Sequence, residues 1–86
     1  MEPEASQEKF DRADRLYQEN RFEESLLLLA ELDTEFPNTK NILYPMALCL
    51  ERLGRTDEAL QLCNLLIQRF QDERAHVLKA RIVTAP

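Results

Sequence analysis

The chain repeats itself at a spacing of 34 residues. Ala13 recurs as Ala47, Leu16 as Leu50, Arg21 as Arg55 and Glu24 as Glu58. Leu26 recurs as Leu60, Leu28 as Leu62, Leu32 as Leu66 and Phe36 as Phe70. Ser25 with Ala59 and Asn20 with Gly54 add conservative matches to these identities. A period of this length marks an array of supersecondary units, none of which can bury its apolar face alone. Neighbouring units must therefore stack.

Two helices fit within each unit. Phe10, Ala13, Leu16 and Tyr17 recur at helical spacing and predict a first helix over about 6–19. Asn20 interrupts it, and Asn20-Arg21-Phe22-Glu23 has the form of a capping box for the next helix. That helix, about 22–35, carries Phe22, Leu26, Leu29 and Leu32 on one stripe, widened by Leu27 and Leu28. So broad an apolar surface must be covered on more than one side. Pro37 ends it. A third helix is predicted over about 39–53, bending near Pro45 and closing at Gly54, which accepts a left-handed backbone easily. Thr56-Asp57-Glu58 opens a fourth helix, to about Phe70, with acidic side chains suited to the positive end of the dipole. A fifth follows over about 72–84, with Val77, Leu78, Ile82 and Val83.

Composition agrees with an all-α chain. A single glycine among 86 residues leaves little material for the tight turns of a sheet. The net charge of −5 repels phosphate and speaks against a nucleic-acid partner. The charge is uneven: residues 1–39 hold 4 basic and 11 acidic side chains, residues 40–86 hold 7 and 5. That asymmetry is either a basis for head-to-tail contacts or simply the solvated faces of helices. The acidic start lacks the basic and apolar regions of a secretory signal, and the longest apolar run, Leu26 to Ala30, is too short to span a bilayer. The expected location is cytoplasmic, with no membrane association. Cys49 and Cys63 fall at apolar helix positions and are expected to be core filling rather than a disulfide. His76 stands alone, so no metal site and no cofactor is expected.

The 34-residue period, the two helices per unit and the placement of small residues resemble the tetratricopeptide repeat. Ala13 and Ser25 in the first unit, and Ala47 and Ala59 in the second, match that family's two small positions, which let paired helices approach closely. Gly54, Phe22 and Pro37 match its inter-helix glycine, the aromatic after it and its closing proline. Lys9 and Leu43 depart from a usual Trp, Asn20 from the Gly, and Gln71 from the second Pro. The resemblance covers about residues 6–84. It implies a right-handed α-solenoid of antiparallel helix pairs, about five helices in all. The expected organisation is a disordered segment 1–5, one repeat over 6–39, a second over 40–73, and a capping or half-repeat helix over 74–86. Stopping in mid-repeat leads to the expectation that Pro86 is not a natural end.

In this family the first helix of each pair lines a concave groove. The resemblance therefore points to Phe10, Asp14, Tyr17 and Gln18, and to Tyr44, Leu48, Glu51 and Arg52, as a partner-binding surface, with Leu78 and Ile82 extending the row. Phe10, Tyr17, Tyr44 and Leu48 would form its apolar stripe, offering large contact area at low entropic cost. The competing assignment places them between adjacent first helices as core. Asp14 and Glu51 would favour a protein or peptide partner with apolar and basic groups. The carboxylate clamp of the chaperone-binding branch is absent, because Phe10 and Asp14 stand where Lys and Asn are required. The alternative function is self-association into a homo-oligomer through Leu78 and Ile82 on the last helix. Catalysis is not expected: one glycine cannot build a phosphate loop, and no nucleophile–base set can be assembled around His76.

Overall fold

The computed structural model describes residues 3–84. Five helices run in order: α1 (Pro3–Gln18), α2 (Phe22–Glu35), α3 (Lys40–Arg52), α4 (Thr56–Phe70) and α5 (Glu73–Thr84). No strand occurs among the described residues. Each helix packs on the next, and α3 also meets α5, giving a flat array of 40 × 28 × 17 Å. The first helix begins three residues earlier than expected. Proline at a first helical position lacks only an amide that has no intrahelical partner there. Of the segment expected to be disordered, residues 1 and 2 lie outside the described residues, and residues 3–5 belong to α1.

The core is two connected clusters. Ala13, Leu29, Leu32, Ile42 and Cys49 form the first, where α1, α2 and α3 meet. Leu43, Ala47 and Leu50 of α3, Ala59, Cys63 and Leu66 of α4, and Ala75, Leu78 and Ile82 of α5 form the second. Each fully enclosed Leu side chain contributes about 1.5–3 kcal/mol of burial. The four small positions are all sealed: Ala13 and Ser25 are 1 % exposed, Ala47 and Ala59 0 %. Small side chains let the paired helices close on each other, so packing rather than propensity holds these short helices.

Both intra-unit turns reverse through a left-handed residue, Asn20 at φ 65° and Gly54 at φ 78°. Behind each, an amide reaches back over the helix end: Arg21 N to Leu16 O at 2.8 Å, and Arg55 N to Leu50 O at 2.9 Å. The capping box expected at Asn20 does not form. Asn20 is occupied in ending α1, and the residue flanking α2 is Arg21, whose side chain cannot accept from an amide. Instead Arg21 forks onto Glu24 with two 2.7 Å bonds. Arg55 does the same with Glu58 at 2.9 and 2.8 Å. Two of the sequence identities thus pair with each other in space.

Pro45 lies inside α3, in its second turn. The carbonyl deprived of its amide belongs to Asn41, on an exposed part of the helix within reach of solvent.

The register shifts by one residue before α5. Lys40 and Glu73 start equivalent helices, and Asn38 (φ 60°) and Gln71 (φ 51°) are the left-handed residues before them, in each case 33 apart. Pro37 explains the slip. Its ring fixes φ near −65°, so the reversal waits for Asn38; Gln71, without that constraint, turns at once. One residue rotates α5 by about 100° relative to a strict 34-residue reading. Leu78 and Ile82 consequently face α4 and are 2 % and 8 % exposed. They are core, and neither extends the concave row nor offers a surface for self-association. Val77 takes the place equivalent to Tyr44 and is 69 % exposed.

Candidate functional site

Helices α1 and α3 face each other across a cleft of about 210 Å³. Ala13 from α1 and Ser25 and Leu29 from α2, all buried, form its floor. Phe10, Tyr17, Tyr44, Pro45 and Leu48 make half-buried walls, and Asp14 and Gln18 sit exposed on the rim. Two of the floor residues, Ala13 and Ser25, are small, and a larger side chain at either position would intrude on the space. Asp14 makes no ion pair among the described residues. At one end Tyr17 meets Phe22 edge to face at 5.2 Å, and the Arg52 guanidinium lies 5.8 Å from the Phe22 ring. Apolar walls and a lone carboxylate suit a side chain that is apolar with a cation beside it.

The next interface along, between α3 and α5, is bridged by side chains. Arg74 stacks on Tyr44 at 4.3 Å, and Arg81 donates to Glu51 Oε1 at 2.8 Å. With the 33-residue register, the α3 equivalents of Arg74 and Arg81 are Asn41 and Leu48. Among the described residues neither makes a hydrogen bond or ion pair to α1, in contrast to the two arginines at the α3–α5 interface. Arg74 is itself held by Asp72, whose carboxylate accepts from Arg74 Nε at 3.1 Å, from its terminal nitrogen at 2.9 Å and from its backbone amide at 2.9 Å. The side-chain bond from Arg74 is the main reason that Asp72 titrates below the usual carboxylate range, outweighing the opposing effect of burial.

Six of the eight groove residues expected from the sequence line this cleft: Phe10, Asp14, Tyr17, Gln18, Tyr44 and Leu48. Arg52 stands at its Phe22 end. Glu51 does not contribute a free charge, because Arg81 engages it across the register-shifted interface. Ala13, Ser25 and Leu29 pack the helices together, as the sequence predicts, and also form the floor of the cleft. Their role as a floor was not legible, because it depends on what fails to cover them. Cys49 and Cys63 are free and fully enclosed, and burial pushes both thiols above their ordinary value, the inert condition for a cysteine. Among the described residues no group of His, Cys, Asp or Glu is placed to hold a metal ion, and no helix is long and apolar enough to cross a membrane.

Stacked antiparallel helix pairs with an apolar cleft between successive first helices define a helical-repeat protein of the solenoid class. The family model described as tetratricopeptide repeat matches residues 16–82, and the chain belongs to that family. No individual curated protein and no solved structure matches it. Repeats of this family generally mediate protein–protein interactions and are not themselves enzymes.

Proposed function

We propose that this chain is an adaptor or scaffold module that binds a peptide or helix of a protein partner in the α1–α3 cleft. The observation that carries the reading is the open apolar space between Phe10, Tyr17, Tyr44 and Leu48 with the unpaired carboxylate of Asp14 on its rim. A volume of about 210 Å³ holds one or two side chains and is below the range of sites for cofactors or drug-sized ligands. The preferred partner segment carries an apolar side chain with a Lys or Arg close by. Such a module needs no catalytic group, and its acidic surface disfavours nucleic acid. Two free, buried thiols are compatible with the reducing cytoplasm. Self-association remains the second reading, now resting on exposed Val77 and Val83 rather than on Leu78 and Ile82.

Selection of a random peptide library on the immobilised domain tests the reading. Enriched peptides should pair an apolar residue with a basic one, and Asp14→Lys should weaken them about ten-fold, as should Leu48→Arg. Enrichment indifferent to both substitutions would place binding elsewhere.

A further inference from the structure

Tyr44 has two kinds of neighbour. It lines the α1–α3 cleft, and the Arg74 guanidinium lies over its ring, 4.3 Å from the centroid. Arg74 does not line the cleft, and neither does any other residue of α5. The helix therefore touches the site only through one of its walls. A guanidinium is flat and weakly hydrated, which suits it to lie over an aromatic ring.

Arg74 is not free to swing away. Asp72 accepts from its Nε at 3.1 Å and from a terminal nitrogen at 2.9 Å, two bonds that fix the plane of the fork. The same carboxylate accepts the Arg74 amide at 2.9 Å, and the Asp72 carbonyl accepts the amide of Ala75 at 3.1 Å. With its side chain 5 % exposed, Asp72 anchors the fork in the α4–α5 junction. The other aromatic walls lack this support. Asn41 stands on α3 where Arg74 stands on α5, and among the described residues no cation lies over the Phe10 ring. Tyr17 is held by Phe22, edge to face. Only the Tyr44 wall is set from α5.

We propose that Arg74, clamped by Asp72, is a positioning residue for the cleft: it holds the Tyr44 ring as a preformed wall, so that α5 sets part of the affinity of a site it does not line. The proposal rests on the reading of the α1–α3 cleft as the binding site. A half-buried ring without its cover samples other staggered conformers, and a ligand must then select the one that forms the wall. That selection lowers affinity without removing any contact from the complex. The stack can bias the ring by no more than its own strength. The Arg74 side chain is 47 % exposed, which places the contact at the weaker end of the cation–π range.

NMR of the whole chain tests this in two stages. The first needs no ligand. In Arg74→Ala the three-bond couplings that report the Tyr44 rotamer should move toward conformational averaging, while those of Tyr17 and the helical circular dichroism stay as in wild type. Arg74→Lys keeps the charge without the flat fork and should average in the same way. The second stage titrates phenethylammonium, an apolar ring beside a cation, and follows Leu48 and Tyr44. Arg74→Ala should raise its dissociation constant about two- to five-fold, the worth of an exposed cation–π contact. Val83→Gly, which weakens α5 at an exposed position away from Arg74, should leave that constant unchanged. Wild-type Tyr44 couplings in Arg74→Ala would overturn the proposal, as would an unchanged dissociation constant or full rescue by Arg74→Lys. A probe that failed to reach the wild-type cleft would count against the binding reading alone, and the Tyr44 couplings would still decide whether Arg74 holds the wall.

Discussion

The Ser25 hydroxyl donates a 2.7 Å hydrogen bond to the carbonyl oxygen of Ala13, joining two buried small residues across the α1–α2 hairpin. In the second hairpin the equivalent pair is Ala59 and Ala47, with no hydroxyl. The bond is therefore an addition to a close approach that small size alone permits. Ser25→Ala should cost about 0.5–1.5 kcal/mol, the net worth of one hydrogen bond. Ser25→Leu should cost more, through overpacking, and should also fill the cleft floor. Urea denaturation of both variants checks the order, and a reversed order would refute the packing account.

The two left-handed turns make a second comparison. A Cβ at Gly54 would meet nothing within 4 Å, so Gly54→Ala is strained by its φ of 78° alone. The expected loss is about 1–2 kcal/mol. Gly54→Asn should lose less, because Asn20 already holds φ 65° at the equivalent place. Thermal melts should rank the three as Gly, then Asn, then Ala.

These turns also show how far the fold was legible. The identities at Arg21/Arg55 and Glu24/Glu58 flagged a repeated device, and pairing Asn20 with Gly54 located both reversals. What the sequence hid was the geometry around Asn20, where a side chain suited to capping α2 is instead used by the backbone to end α1. The slip to 33 residues was hidden for a similar reason. It follows from the missing Pro at Gln71, a departure visible in the sequence whose rotational consequence for Leu78 and Ile82 appears only once α5 is placed. The cleft was half legible: its walls follow from the repeat, but the contrast with the next interface rests on Arg74 and Arg81, which meet Tyr44 and Glu51 where Asn41 and Leu48 make no hydrogen bond or ion pair to α1.

The Arg21–Glu24 and Arg55–Glu58 forks are well aligned, yet all four side chains are between 43 % and 53 % exposed. Solvent screening then keeps each pair weak despite its bidentate geometry. A double-mutant cycle of Arg55→Ala and Glu58→Ala should give a small coupling that falls towards zero as salt is raised. A coupling unchanged between low and high salt would show that the pair is not screened by solvent.

Asp72 carries the acid sensitivity of the α4–α5 junction. Its side chain is 5 % exposed, caps the first turn of α5 and holds Arg74, which in turn covers Tyr44. The native state depresses its titration, so folding favours the ionised form. That contribution is fully present above the ordinary carboxylate value of 3.8 and is lost as pH falls through the lower native one. Asp72→Asn keeps an acceptor for the Arg74 amide but removes the charge. At neutral pH the variant should be less stable by about 1 kcal/mol, and Asp72→Ala by more, since the cap goes as well. The gap between wild type and Asp72→Asn should narrow below about pH 4 and close under more acid conditions. Chemical denaturation of both proteins from pH 7 to pH 2 measures it. A gap that stayed constant across that range would show that the charge of Asp72 does not support the fold.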